Sequence, residues 1–137
     1  MNTKLSVLIE KLIHSFQIEE SGYIKNSELN ILSSTQIHYI DLIKHENSPA
    51  LSELARKLKV TKPTVTNHID KLEKLGYVKR VQSEEDKRIQ FLQLTEKGEN
   101  ISFLHDSFHE VFTEKLSIKL ARKEQEQLIM LLQKALK

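Results

Sequence analysis

There is no cysteine among the 137 residues. That single absence removes disulfides, thiolate zinc sites and peroxide-sensing thiols together. Only three glycines and two prolines are present, which leaves little material for flexible linkers, so most of the chain is expected to be ordered and helical. Long hydrophobic runs are missing too. The stretch from Met1 to Phe16 is apolar in places, but Glu10, Lys11 and His14 interrupt it at helical spacing, which excludes a signal-peptide core or a membrane span. A cytoplasmic protein with no membrane partner is expected. What is present, 39% hydrophobic and 29% charged residues, is a globular composition. The length suits one compact domain, or one domain extended by helices that need a partner to cover them.

The formal net charge is only +2, but it is unevenly spread: residues 51–90 hold ten Lys/Arg against six Asp/Glu, and the remainder eleven against thirteen. The central third is therefore +4 and the rest −2. Such an asymmetry suits a basic reading head that meets phosphates, carried on a scaffold that does not.

The hydrophobic pattern is helical at both ends. Leu5, Leu8, Ile9, Leu12, Ile13 and Phe16 share one helix face, with Gly22 just past the end of the pattern. Ser33 with Gln36 forms a capping box for a second helix whose stripe is Ile37, Ile40 and Ile43. Ser48 and Pro49 signal the start of a short third helix carrying Leu51, Leu54, Ala55 and Leu58. Thr61 caps a fourth, with Pro63 in its first turn and Val65, Ile69 and Leu72 as its buried face; it stops at Gly76. From Tyr77 the period changes to two, and a second extended run is marked by Ile89, Phe91 and Leu94. The charged tip Ser83 to Arg88 joins them into a hairpin too small to stand alone. Thr95 caps a long fifth helix with Ile101, Leu104, Phe108, Val111 and Phe112, and a last helix carries Leu128, Leu131, Leu132, Ala135 and Leu136.

Helices three and four, joined by about three residues and followed by a hairpin, spell a winged helix-turn-helix. The fourth helix leaves Lys62, Pro63, Thr64, Thr66, Asn67, Asp70, Lys71 and Lys74 off its buried face. Short Thr and Asn side chains near a helix start suit a helix lying in a major groove, where base edges come within reach. The expected fold is mainly α with a small β-hairpin wing. A DNA-binding region at 33–95 is flanked by a helical dimerisation region at 1–32 and 96–137. The flanking stripes exceed what one small reading head covers: either they pack on each other, or they form a core shared with a second chain. A homodimer fits better, because it places two recognition helices about one DNA turn apart and so reads a pseudo-palindrome in double-stranded DNA.

The run from Leu51 to Gly76, together with Tyr77-Val-Lys-Arg80, Asp86-Lys-Arg88 and Leu94-Thr-Glu-Lys-Gly98, resembles the MarR family of transcriptional regulators, and the resemblance covers nearly the whole chain. It implies a dimeric DNA-binding regulator, here a repressor, whose wing Arg88 enters the minor groove while Asp86 orients it. A narrow minor groove concentrates the negative potential that a guanidinium seeks. The DNA-contacting set is then Lys62, Pro63, Thr64, Thr66, Asn67 and Lys71 with Arg80, Asp86, Lys87 and Arg88 of the wing.

Six histidines need sorting. His105 and His109 are four apart on the fifth helix and project from one side, a spacing compatible with a shared metal. No Glu follows the first of them, so the metalloprotease pattern fails. The chain is also similar to the zinc-sensing branch of the MarR family, and that similarity implies Zn(II), one per subunit, on Glu20, His38, His105 and His109; His14 and Glu19 lie near enough in sequence to substitute for Glu20. A further site in part of that branch needs Cys and carboxylates; Ile37 and Leu104 stand where those carboxylates would be. His68, on the recognition helix, is open to a packing role or a phosphate contact. Two other readings compete: an organic effector in the cleft between dimerisation and DNA-binding regions, and a winged helix used only for protein interaction, against which the polar recognition face and Asp86/Arg88 speak. An enzyme is not expected, since no nucleophile with its base, phosphate loop or open metal site is visible.

Overall fold

The computed structural model describes residues 3–137. In chain order its elements are α1 (Thr3–Lys25), a 3-10 turn (Glu28–Ile31), α2 (Ser34–His45), α3 (Leu51–Leu58), α4 (Lys62–Lys74), β1 (Val78–Gln82), β2 (Gln90–Leu94), α5 (Glu96–Ser117) and α6 (Arg122–Ala135). None of these helices is long and apolar enough to cross a membrane. Two compact units are formed, residues 24–106 and residues 1–23 with 107–137.

The first unit is the winged helix-turn-helix. Ile40, Ile43, Leu54, Val65, Ile69, Leu72, Tyr77, Val78, Leu92 and Ile101 form its core, none more than 2% exposed. The capping box at α2 is present in both directions, Gln36 N to Ser33 Oγ at 3.1 Å and Ser33 N to Gln36 Oε1 at 2.9 Å. Lys59 takes the left-handed conformation at φ 56° and ends α3, and the Thr61 side chain accepts from Thr64 N at 3.4 Å to start α4. A Thr61→Ala variant is therefore expected to lose about 1 kcal/mol of stability in urea unfolding, while Thr61→Ser retains most of it. At its other end α4 stops on Gly76, whose φ of +83° admits glycine freely, and Tyr77 N reaches back to Leu72 O at 2.9 Å.

The wing pairs Val78 with Leu94 through Gln82 with Gln90, antiparallel. It is not left as an isolated ribbon: Ala50 bridges to Phe91, and Leu92 N donates to Pro49 O at 2.9 Å. The segment read as a start signal for α3 thus also serves as an edge for β2; Ser48 itself sits at φ 61° and Ala50 is the N-cap residue, with no side-chain cap.

Two sequence expectations move. Gly22 does not end the first helix, which runs three residues further to Lys25. The interior glycine costs about 1 kcal/mol against alanine, and Tyr23, stacked on Phe108 with centroids 5.4 Å apart, holds the last turn in place. The DNA-binding unit is also larger than 33–95, because the start of α5 is fastened to the α4–β1 joint. Thr95 Oγ1 donates to Gly76 O at 2.5 Å, Lys97 Nζ to Leu75 O at 2.8 Å, and the Lys97 ammonium lies 4.4 Å from the Tyr77 ring centroid.

In the other unit, α1 packs on the later turns of α5 through aromatic rings. Phe16 meets Phe108 and Phe112 edge to face at 5.2 and 5.1 Å, and Lys115 Nζ pairs with Glu19 at 2.7 Å. Neither α1 nor α6 has a buried residue. Leu5, Leu8, Leu12 and Ile13 on α1, and Leu128, Ile129, Leu131 and Leu132 on α6, are all between 44% and 61% exposed. Apolar stripes of that extent, left uncovered, are unusual for an isolated chain.

Candidate nucleic-acid interface

The recognition helix α4 turns Val65, Ile69 and Leu72 into the core, and helical periodicity then forces Lys62, Pro63, Thr64, Asn67 and Lys71 outward, where all five are exposed. Thr66 is half-buried on the side towards the wing. There a concavity of about 340 Å³ is lined by Ser52, Lys62, Thr66, Arg88 and Gln90. Cations and short hydroxyls from α4, the start of α3 and the wing thus face one hollow.

The wing tip is held by its own side chains. Ser83 N donates to Ile89 O at 2.9 Å, Asp86 N to Ser83 Oγ at 3.2 Å, and Gln82 Nε2 to Lys87 O at 2.6 Å. On this base Asp86 grips Arg88 from three points. Arg88 Nε donates to Oδ1 and Nη2 to Oδ2, both at 3.1 Å, and the Arg88 backbone N–H adds a bond to Oδ1 at 3.0 Å. The side-chain bonds first, and the backbone bond next, hold the Asp86 carboxyl below the usual carboxylate range. Arg88 is nonetheless 90% exposed. A guanidinium fixed in direction yet open to solvent is preorganised for an anionic partner at low entropic cost.

Arg80 was expected at the same interface, and its guanidinium is paired with two acids of the recognition helix. Nη2 donates to Asp70 at 2.6 Å and Nη1 to Glu73 at 2.9 Å, both acids on α4, and the side chain is only 20% exposed. It ties the recognition helix to β1 and so sets the angle between helix and wing. Lys87 is exposed at the tip. His68, left open between packing and phosphate contact, is placed by ring stacking on Tyr39 of α2, with centroids 4.7 Å apart.

The histidines and acids expected to bind metal are distributed over both units. Glu20 lines an apolar groove between α1 and α5 with Phe16, Phe112 and Leu116, and His109 stacks near Phe16 at 5.5 Å. His38 is exposed on α2. His105, half-buried, has Nδ1 3.4 Å from Asp41 Oδ1. Among the described residues one set of three ligating side chains converges, Asp41, His105 and Asp106, with donor atoms all within 4.8 Å of one another. Of the four residues implied by resemblance it contains only His105; its two acids are not among them. Asp106 is the sequence neighbour of His105 on α5, whereas Asp41 lies on α2, and no local spacing points to it. His45 also leans on this cluster: Nδ1 donates to Asp41 O at 2.8 Å, and that bond first, the Asp41 charge next, raise its pKa. Beside the cluster lies a cavity of about 890 Å³ lined by Lys44, Lys97, Ser102, Phe103 and Asp106.

The model for the MarR family matches residues 32–90. An uncharacterised helix-turn-helix transcriptional regulator of Bacillus subtilis, YkoM, is 30% identical over 121 residues, spanning 88% of this chain and 79% of the relative. The transcriptional regulator MhqR of the same organism is 29% identical over 105 residues, covering 77% of this chain and 69% of its own. Among solved structures, Streptococcus pneumoniae FabT in complex with DNA superposes with a TM-score of 0.86 at 28% identity, over 98% of this chain and 94% of that one. Escherichia coli MarR complexed with operator DNA, at 24% identity and a TM-score of 0.68, shares the fold over 98% of this chain and 95% of its own. With a recognition helix free on its polar side, a wing arginine fixed beside it and these relatives in agreement, the chain belongs to the MarR family of winged-helix DNA-binding transcriptional regulators.

Proposed function

We propose that this regulator is a homodimeric repressor that reads a pseudo-palindromic operator and whose affinity for it is set by a divalent metal, Zn(II), one ion per subunit. The uncovered apolar faces of α1 and α6 support a shared core with a second copy, which would set two recognition helices about one turn of DNA apart. The observation that carries the metal reading is the convergence of one imidazole and two carboxylates at Asp41, His105 and Asp106. Such a nitrogen and oxygen donor set fits zinc and other first-row divalent ions. His105 is common to this cluster and to the set Glu20, His38, His105 and His109 that the family resemblance implies.

An ion regulates only if it binds the DNA-competent conformation more tightly than the others, and DNA must then tighten metal binding by the same factor. Operator affinity, followed by fluorescence anisotropy at fixed salt, is expected to rise with buffered zinc and fall with chelator. In His105→Ala the two conditions are expected to give the same affinity, with the dimer retained in sedimentation. Equal wild-type affinities with zinc and with chelator would end the metal reading. A small organic effector would then take its place, a reading that has its own support in the 890 Å³ cavity, whose lining joins the Phe103 ring to charged groups of both signs, Lys44 and Lys97 with Glu96, Glu99 and Asp106.

A further inference from the structure

We propose that the regulatory ion is held by Asp41, His105 and Asp106, within the DNA-binding unit, rather than by the four-residue set the family resemblance implies. This rests on the metal-control reading above and assigns its ligands. The distances carry the first part of the argument. His105 Nδ1 and Asp41 Oδ1 are 3.4 Å apart, long for a charge-assisted hydrogen bond, which closes to about 2.7–2.9 Å. Two ligands at about 2.0–2.1 Å on one tetrahedral zinc are about 3.3 Å apart, which is the edge this pair presents.

The second part is polar satisfaction. Asp41 Oδ1 is shielded from water and accepts no hydrogen bond, although the Nδ1 atoms of His45 and His105 stand 3.3 and 3.4 Å away. Ser102, 2% exposed and one helical turn before Asp106, likewise has a hydroxyl with no hydrogen-bond partner, and it lines the cavity that Asp106 borders. Buried oxygens left in this state are costly, and a cation with its bound water answers them. Three protein ligands leave a fourth position, and the cavity beside Asp106 supplies an entry path for the ion.

The placement also gives the ion something to move. Asp41 lies on α2, and His105 and Asp106 lie on α5, so an ion bound there pins α2 against α5. The same helix α2 stacks Tyr39 on His68 of the recognition helix. A shift of α2 of the kind that metal would oppose is therefore passed directly to α4.

The test titrates full-length, metal-free protein with Co(II), whose visible absorption reports tetrahedral coordination, and then displaces it with Zn(II). Asp41→Asn and Asp106→Asn keep size and remove charge, and folding of each is checked by its thermal transition without metal. Each is expected to weaken Co(II) binding by about 100-fold or more, beyond the 10–100-fold that loss of an outer-sphere partner costs, and to make operator affinity indifferent to zinc. Glu20→Gln and His38→Ala are expected to bind Co(II) as the wild type does. If His38→Ala or Glu20→Gln loses the ion while the two aspartate variants keep it, the ligand assignment is overturned and metal control survives. If the wild type takes up no stoichiometric Co(II) or Zn(II), metal control itself fails and the assignment with it.

Discussion

Gly98→Ala is expected to destabilise the DNA-binding unit by about 3 kcal/mol or more, at the upper end of what overpacking costs. Gly98 is buried in the first turn of α5, and a Cβ built on it would lie 2.1 Å from the Tyr77 carbonyl oxygen, 3.1 Å from its carbon and 3.3 Å from Leu94 Cβ. The two nearest obstacles are backbone, so no rotamer change relieves them. Nor is the carbonyl free to turn away, because Thr95 N donates to it at 3.0 Å. Relief would have to come from parting α5 from the α4–β1 joint, breaking the contacts of Thr95 and Lys97 as well. Urea unfolding followed by circular dichroism measures the loss. Gly22→Ala is the internal control: it also lies within a helix, but nothing stands within 4 Å of its added Cβ, so up to about 1 kcal/mol of stabilisation is expected there. Equal effects at the two glycines would mean that the close approach at Tyr77 is not a constraint in solution.

The second large effect is on DNA. Arg88→Ala is expected to weaken operator binding by about 1–3 kcal/mol while leaving the unfolding transition where it was. The separation follows from exposure: the Arg88 side chain is 90% exposed and, among the described residues, is bonded to its neighbour Asp86 on the same wing tip, so the core does not rest on it, whereas a minor-groove contact would. Arg88→Lys is not expected to rescue, since a single ammonium cannot reproduce the planar fork that Asp86 grips with one edge. Asp86→Ala should show a smaller loss, because the guanidinium remains but is no longer aimed. Affinities are compared at one salt concentration, as phosphate contacts make every value salt-dependent. Unchanged affinity in Arg88→Ala would remove the wing from the mechanism.

Arg80 illustrates where residue type alone misleads. As a cation on the first wing strand it reads as a DNA contact, and in the fold it closes on Asp70 and Glu73 of α4. Those acids lie on α4 at i and i+3, hence on one helix face, and in that pairing the basic bias of the central segment is partly spent internally. The contact between Asp86 and Arg88 is legible for the opposite reason. Asp86 and Arg88 are two apart on a tight tip, so their contact is local and the spacing alone brings carboxylate to guanidinium.

That contrast divides the whole molecule. The capping box of Ser33 and Gln36, the Thr61 cap, the stop at Gly76, the change of period at Tyr77 and the polar face of α4 are all set by residues within about one turn of each other, and local geometry with amphipathic burial is enough to determine them. The limits of the DNA-binding unit, the use of Pro49 and Ala50 as a sheet edge, and the meeting of Asp41 with His105 and Asp106 were decided only by tertiary structure. In each of these the partners come from elements far apart in the chain, and which faces meet depends on how the helices pack around Leu72, Tyr77 and Ile101, a long-range condition that no periodicity of 3.6 or 2 residues encodes.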